Sequence, residues 1–268
     1  LGPTDAASIN AALRAIVSAA WVLTPAGLGF ALGASGSMIG AWGLASLFCL
    51  FILICALLVL KTPPDRPARD TPAAGFFAAL RELAARDMLI RMVSIAAFTS
   101  TLRLSGTLWP LILTLQLGGK TADVGLVAGI TALMEIPFML IWAHFLKRHS
   151  VIGLIITAAL GYGVYMAALS FASAPWHIYA LAIPGAAFAA ALLALPLNYF
   201  QDLFPGRPGL GTAVLPINSF LGNGLNAAAF AIGSHYFGYS NSAWLGLALV
   251  LLGVTGLLWV ERKSARST

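Results

Sequence analysis

The sequence predicts an all-α integral membrane protein with eight membrane-spanning helices. Hydrophobic residues make up 60% of the 268 residues and charged residues only 9%, with a mean hydropathy of +0.91. A soluble domain carries roughly 25% charged residues, so composition alone excludes that class. The apolar runs are about 20 residues long, which suits a membrane helix, whereas a barrel strand needs only ~9–11 alternating residues.

Eight apolar runs follow one another along the chain. Most connections between them are short and rich in Gly, Pro and Ser, which predicts that successive helices are antiparallel neighbours. One connection, residues 61–87, is long: it begins with proline and charge and becomes amphipathic around residues 76–83, as an interfacial helix does. The runs occupy residues 11–32, 38–60, 89–115, 124–146, 151–171, 176–197, 212–233 and 243–260.

Lysine and arginine are divided very unequally between the two sides of the predicted membrane. One side carries only Lys120, and the positive-inside rule therefore makes the other side, with the C-terminus, cytoplasmic. We interpret the net charge of +6 as topology and contact with anionic lipid, not nucleic-acid binding, because no basic patch lies away from the membrane ends. The cytoplasmic residues are Lys61, Arg66, Arg69, Arg81, Arg86, Lys147, Arg148, Arg207, Arg262, Lys263 and Arg266.

The order of spans and connections resembles the last two thirds of a twelve-helix transporter of the major facilitator type. Such proteins join two six-helix halves, each a 3+3 inverted repeat, through a long cytoplasmic loop. The resemblance implies that residues 1–60 are the last two helices of the first half, 61–87 the linker, and 88–268 the second half with a basic tail. Four helices of a longer protein would then precede Leu1; a protein of eight helices is the alternative.

Three motifs resemble the bacterial sugar efflux transporter family of the major facilitator superfamily. They are RAIVSAAWVLTPAGLGF, residues 14–30; MEIPFMLIWAHFLKR, residues 134–148; and NYFQDLFPGRPGLGTA, residues 198–213. They match in order and spacing over nearly the whole chain, and the third is the most specific. One departure is Thr24, which stands where the family has glycine before Pro25, and this weakens an expectation of close helix packing there.

The resemblance implies a secondary active transporter that exports small sugars or glycosides, by proton antiport with alternating access. It implies a multi-pass protein of the bacterial cytoplasmic membrane, monomeric, whose partners are the sugar, protons and the lipid bilayer. A multidrug or other small-molecule exporter of the same superfamily is the alternative. The residues contain none of the common enzyme motifs, no metal-ligand set and no cofactor-binding motif.

The first motif places four residues on one helix face. Arg14, Ser18, Trp21 and Pro25 follow spacings of four, three and four. Arg14 lies near the predicted cytoplasmic end, where it either contributes to gating or extends to lipid phosphates. Trp21 lies deeper than an interfacial residue, so it either stacks on a sugar ring or packs between helices. With Ser18, it is a candidate substrate-binding residue.

The seventh apolar run carries a polar stripe. It consists of Thr212, Pro216, Ser219, Asn223 and Asn226, which are spaced by four, three, four and three residues, and Asn218 lies just beside this line. Amide groups in hydrocarbon need partners, so the stripe either joins helices or lines a cavity. Carboxamides both donate and accept hydrogen bonds, as sugar hydroxyls require, whereas a cationic drug would require acids and aromatic rings. The predicted substrate-binding residues are Asn218, Ser219, Asn223 and Asn226.

Glu135 is the only acid deep within any predicted span. A charge at a bilayer centre costs roughly 2.5–3.5 kcal/mol on insertion scales, so we expect a partner or a proton. Arg103 and Glu135 lie 17 and 15 residues from the turn at Lys120, which predicts similar depth and an ion pair that couples transport to protons. A purely structural pair is the alternative. Thr99 and Thr107 flank Arg103 at intervals of four and are candidate substrate ligands.

The remaining candidates are structural. Pro137 would bend its helix at a point where transporters bend. At the predicted cytoplasmic turn, Gln201 belongs to the third motif, and Asp202 is expected to cap the turn or to pair with Arg207.

Overall fold

A computed structural model describes residues 38–59, 81–204 and 207–266 of the chain. Within these ranges the secondary structure is helical and the elements run α1 Met38–Val59, α2 Arg86–Leu111, α3 Thr121–Leu146, α4 Val151–Ser170, α5 Pro175–Asp202, α6 Pro208–Tyr236 and α7 Gly238–Ala265. A π-helical turn, Ile112–Gln116, extends α2. The predicted span at 11–32, with Arg14, Ser18, Trp21 and Pro25, lies outside the described residues, as does most of the predicted interfacial helix.

Five helices in the described part are long and apolar enough to cross a membrane. They are α2 with its π-helical extension, α3, α4, α5 and α7. Helix α6 is equally long, at 29 residues, but carries three asparagines within its length. Helix α1 contains 22 residues, and every side chain of α1 whose exposure is described is exposed. The prediction of an all-α membrane protein is confirmed.

Helices α2 to α7 form one bundle with the contact pattern of an inverted repeat. Helix α2 packs against α6 and α7, α5 packs against α3 and α4, and α4 packs against α7. Exchanging α2, α3 and α4 for α5, α6 and α7 maps this set of contacts onto itself. Because successive helices alternate in direction, the two three-helix units run oppositely, which is the 3+3 arrangement of facilitator-type halves.

The expectation that successive helices pack side by side is confirmed for α4 with α5, α5 with α6 and α6 with α7, and is wrong for α3, which makes little contact with α2 or α4. Helices α2 and α3 are joined by a short turn but make no extended contact, and α3 packs instead against α5. Trp142 of α3 donates its indole N–H to the Ala187 carbonyl of α5 at 2.7 Å, and Tyr179 of α5 donates to Asp123 of α3 at 2.8 Å. A short turn therefore fixes helix direction, but the apolar faces decide which helix becomes the neighbour.

The core is close-packed where small residues let helices approach. A Cβ added at Gly253 of α7 would lie 2.5 Å from the Ser94 carbonyl oxygen of α2, so this contact requires glycine. Large side chains fill the space alongside, and Phe98 and Phe200 are fully buried. The connections at one end of the bundle, which we call the basic end, carry Lys147, Arg148 and Arg207, and α7 ends there with Arg262 and Lys263.

Candidate functional site

Two cavities of about 380 Å³ each lie between the helices of the bundle. We call the first the Glu135 cavity. It is bordered by α2, α3, α4 and α5, and its walls are mostly aliphatic and aromatic. Its polar and aromatic lining residues are Ser105, Trp109, Thr131, Glu135, Tyr162 and Tyr165. The second, the Arg103 cavity, lies between α2, α5 and α6, and its polar lining residues are Thr99, Ser100, Arg103, Asn218 and Ser219.

The predicted ion pair between Arg103 and Glu135 is absent. The two side chains line different cavities, which share Leu102 of α2 and Leu193 of α5 in their walls. The ion pairs among the described residues join other partners, and neither Arg103 nor Glu135 takes part in them. The prediction assumed that α2 and α3 pack together; because α3 packs against α5 instead, Glu135 faces α4 and α5.

In the wall of the Glu135 cavity, hydroxyl groups of α2 and α4 contact each other. Ser105 and Tyr165 hydroxyls lie 3.1 Å apart, a hydrogen bond that joins α2 to α4. The rings of Tyr162 and Tyr165 pack with centroids 5.0 Å apart. Thr131 donates to the Val127 carbonyl of its own helix at 2.9 Å, one turn before Glu135. The cavity thus holds one carboxylate among neutral hydroxyls and aromatic rings.

The Arg103 cavity contains several of the predicted sugar ligands. Thr99 and Ser219 line it, and Asn218 lies at its edge. Asn218 is 4% exposed, and its amide donates to the Met92 carbonyl of α2 at 2.7 Å, so it also joins α6 to α2. Thr99 donates to the Ile95 carbonyl at 2.7 Å and lies 3.5 Å from the Asn218 side-chain oxygen.

The remaining candidates on α2 and α6 lie away from this cavity. Thr107 is exposed, and its hydroxyl donates to the Arg103 carbonyl at 3.1 Å. Asn223 is exposed in a surface groove of about 650 Å³ that Val93 and Phe220 also line. Asn226 is half-buried, and its side-chain oxygen has no hydrogen-bond partner among the described residues. The predicted substrate-binding residues Ser219, Asn223 and Asn226 therefore lie in a cavity wall, in a surface groove and at a half-buried position, respectively.

At the basic end, Arg207 pairs with an acid other than the predicted one. Its guanidinium contacts both oxygens of the Glu82 carboxylate at 2.7 and 2.9 Å, whereas Asp202 is exposed and forms no ion pair within the described ranges. This corrects the expected pairing of Asp202 with Arg207, because residues 81–83 bring an acid from before α2 to the α5–α6 turn. Gln201 donates to Thr212 at 3.3 Å across that turn. Pro137 is exposed on α3.

Sequence reasoning missed a polar cluster at the basic end. Arg91 of α2 donates to Glu261 of α7 at 2.8 Å, and Tyr199 of α5 donates to the same carboxylate oxygen at 2.6 Å. Arg91 also donates to Ser264 at 2.9 Å. A signal existed: Arg91 and Glu261 both stand at span edges near the basic end, where opposite charges on different helices can meet. The lining aromatics Trp109, Tyr162 and Tyr165 were missed because an aromatic residue in a span gives no sign of the face it occupies.

These features define the class: a multi-pass, all-α membrane protein whose described bundle is built like one half of a major facilitator transporter. The resemblance to the sugar efflux transporters is confirmed by comparison with known proteins. The chain is 30% identical over 257 residues to a Deinococcus radiodurans protein classed with the sugar efflux transporters. It is 25% identical over 254 residues to sugar efflux transporter A of Dickeya chrysanthemi and 27% over 248 residues to sugar efflux transporter B of Salmonella typhimurium.

The similarity covers nearly all of this chain but not all of those proteins. The matched regions are 94%, 95% and 92% of the chain, and 64%, 63% and 62% of the three relatives. The chain thus spans less than two thirds of the length of the curated relatives it matches. No family model matches it. The relatives are named as transporters, not as enzymes.

Proposed function

We propose that this chain belongs to a secondary active transporter that exports small sugars or glycosides by proton antiport with alternating access. The observation that carries the proposal is the similarity over 94% of the chain to a relative classed with the sugar efflux transporters. Residues 1–60, 61–87 and 88–268 are proposed as the end of a first half, a linker, and a second half with its tail. We place the protein in the bacterial cytoplasmic membrane as a monomer, with its C-terminus in the cytoplasm.

The Arg103 cavity supports sugar binding by its chemistry. A sugar hydroxyl both donates and accepts hydrogen bonds, and Thr99, Ser219 and the Asn218 side-chain oxygen provide groups of both kinds. The Arg103 guanidinium adds a fixed fork of donors and carries no partner carboxylate among the described residues. Such a set provides donors and acceptors that match neutral sugar hydroxyls.

Glu135 is the proposed site of proton coupling. Its carboxylate lines a cavity without an ion-pair partner in the described part of the chain. A buried carboxyl group favours its neutral form and a wetted one its ionised form, so alternating access to water loads and releases a proton. Coupling by this route does not require Arg103.

Transport by purified protein in liposomes tests the proposal. The protein that the gene encodes is purified and reconstituted into liposomes, and a pH gradient is imposed across the membrane. Uptake of a radiolabelled disaccharide is then measured. We expect accumulation above the equilibrium level that collapses when an ionophore dissipates the gradient. Sugar movement that does not respond to the gradient would contradict antiport, and uptake of amphiphilic dyes without any sugar would favour the multidrug alternative.

A further inference from the structure

The Glu135 cavity combines two features that the sugar-export proposal does not use together. One is a single carboxylate without an ion-pair partner among the described residues. The other is a set of aromatic side chains in the same wall, Trp109 of α2 with Tyr162 and Tyr165 of α4. A carboxylate among aromatic rings attracts a cation by charge and by the negative faces of the rings.

The groups that face this cavity leave the carboxylate uncompensated. From α4, the titratable groups are the phenols of Tyr162 and Tyr165. The lining residues from α2 and α5 include no charged side chain, and Glu135 is the only one from α3. Arg103 lines the neighbouring cavity, beyond the shared Leu102 and Leu193. When Glu135 is ionised, the cavity therefore presents one negative charge to its contents.

The lining favours an organic cation over a metal ion. Ca²⁺ takes roughly six to eight oxygen ligands, and the cavity wall offers few free oxygens. The Thr131 hydroxyl is bonded to its own helix at 2.9 Å, and the Ser105 and Tyr165 hydroxyls are bonded to each other at 3.1 Å. Most of the remaining wall is aliphatic, including Leu102 and Leu181. A quaternary ammonium group donates no hydrogen bonds to water, so it loses less hydration on entering such a site than a metal ion would, and the aromatic rings attract it.

We propose that the Glu135 cavity is a binding site for an organic ammonium group. Glu135 supplies the counter-charge, Trp109 and Tyr162 supply ring surfaces, and the volume of about 380 Å³ accommodates a small amine or quaternary ammonium ion. The proposal goes beyond sugar export, because it assigns a second ligand class to a second cavity.

Equilibrium dialysis of radiolabelled choline against the purified chain tests the site. The protein is kept in an uncharged polyoxyethylene detergent, because sugar or phosphocholine headgroups would compete. The competitor is the neutral isostere of choline, in which a quaternary carbon replaces the nitrogen. We expect choline to bind about tenfold more tightly than the isostere, the range that charge and ring contacts supply.

Three variants distinguish choline binding in the Glu135 cavity from effects on the protein as a whole. Glu135→Gln keeps the shape and should reduce choline affinity about tenfold, and Trp109→Leu should reduce it several-fold. Asp87→Asn removes a carboxylate from the exposed pair with Lys263 at the basic end and should leave binding unchanged. Elution as a single species and a cooperative thermal unfolding transition establish that each variant is folded.

The proposal is overturned if the unmodified chain binds the isostere as tightly as choline, or binds neither. It is equally overturned if Glu135→Gln retains the preference, or if Asp87→Asn loses it to the same degree. Because choline binding is measured at fixed pH without a gradient, its failure leaves the separate transport test of sugar export intact.

Discussion

Arg91 and Glu261 form an ion pair of 2.8 Å that joins α2 to α7, the two helices at opposite ends of the described bundle's sequence. The side chains are only 13% and 21% exposed, and Tyr199 of α5 donates to the same Glu261 oxygen at 2.6 Å. Three helices are thus tied at the basic end by one carboxylate. Because the pair is largely removed from water, loss of one partner leaves a charge that the remaining partners compensate poorly.

We expect Arg91→Met to destabilise the protein by about 2–4 kcal/mol, because among the described residues Glu261 keeps only the Tyr199 hydroxyl as a partner. The measurement is the thermal unfolding midpoint in detergent. Lys263→Met is the matched control: its pair with Asp87 is 51% and 37% exposed, and such pairs contribute about 0–1 kcal/mol. Equal shifts of the unfolding midpoint for Arg91→Met and Lys263→Met would show that the buried ion pair contributes no more stability than the exposed one.

Asn218 and Asn223 on the same helix should respond differently to truncation. Asn218→Ala leaves the Met92 carbonyl without its 2.7 Å hydrogen bond, and we expect a loss of about 1–3 kcal/mol in stability. Asn223 is exposed, so Asn223→Ala should fold normally; as a predicted sugar ligand it should instead raise the apparent Michaelis constant. Normal transport by Asn223→Ala would remove Asn223 from the substrate site.

Glu135→Gln should separate exchange from accumulation. The amide keeps the shape but cannot bind and release a proton, so labelled sugar should still exchange across the liposome membrane. Accumulation driven by a pH gradient should be lost. Counterflow and gradient-driven uptake are measured on the same vesicles. Gradient-driven concentration of sugar by this variant would place the coupling group elsewhere in the protein.

Arg103→Gln and Glu135→Gln should act independently on stability. The two side chains line separate cavities and form no ion pair, so the double variant should equal the sum of the single changes within about 0.5 kcal/mol. Thermal midpoints of the three variants and the unmodified protein complete the cycle. A coupling above about 1 kcal/mol would indicate that the two charges contact each other in another conformation.

Gly185 allows the Tyr165 ring to lie against α5. A Cβ at this position would lie 2.9 Å from the ring, so Gly185→Ala should displace Tyr165 and weaken its bond to Ser105. We expect a loss of about 1–3 kcal/mol in thermal stability. Gly106→Ala is the control, since a Cβ there meets nothing within 4 Å and should be neutral or slightly stabilising.

Hydropathy and charge were sufficient to determine the class of this protein. A run such as 151–171 is apolar over the full length that a membrane-spanning helix needs, and α4 occupies Val151–Ser170. The third motif, around Gln201 and Asp202, indicated the relationship to the sugar efflux transporters, and the comparisons confirm it. These features are local in sequence, so they can be recognised in a single chain.

The tertiary structure decided which residues meet. The rise per residue predicts the depth of Arg103 and Glu135 along their helices, but not which helix each one faces. That choice depends on the interleaving of two three-helix units, in which α3 packs against α5 and leaves Glu135 beside Tyr162 and Tyr165. In lipid, nearly every helix face is apolar, so hydrophobicity alone does not select a neighbour. Close packing and hydrogen bonds between particular residues make the selection.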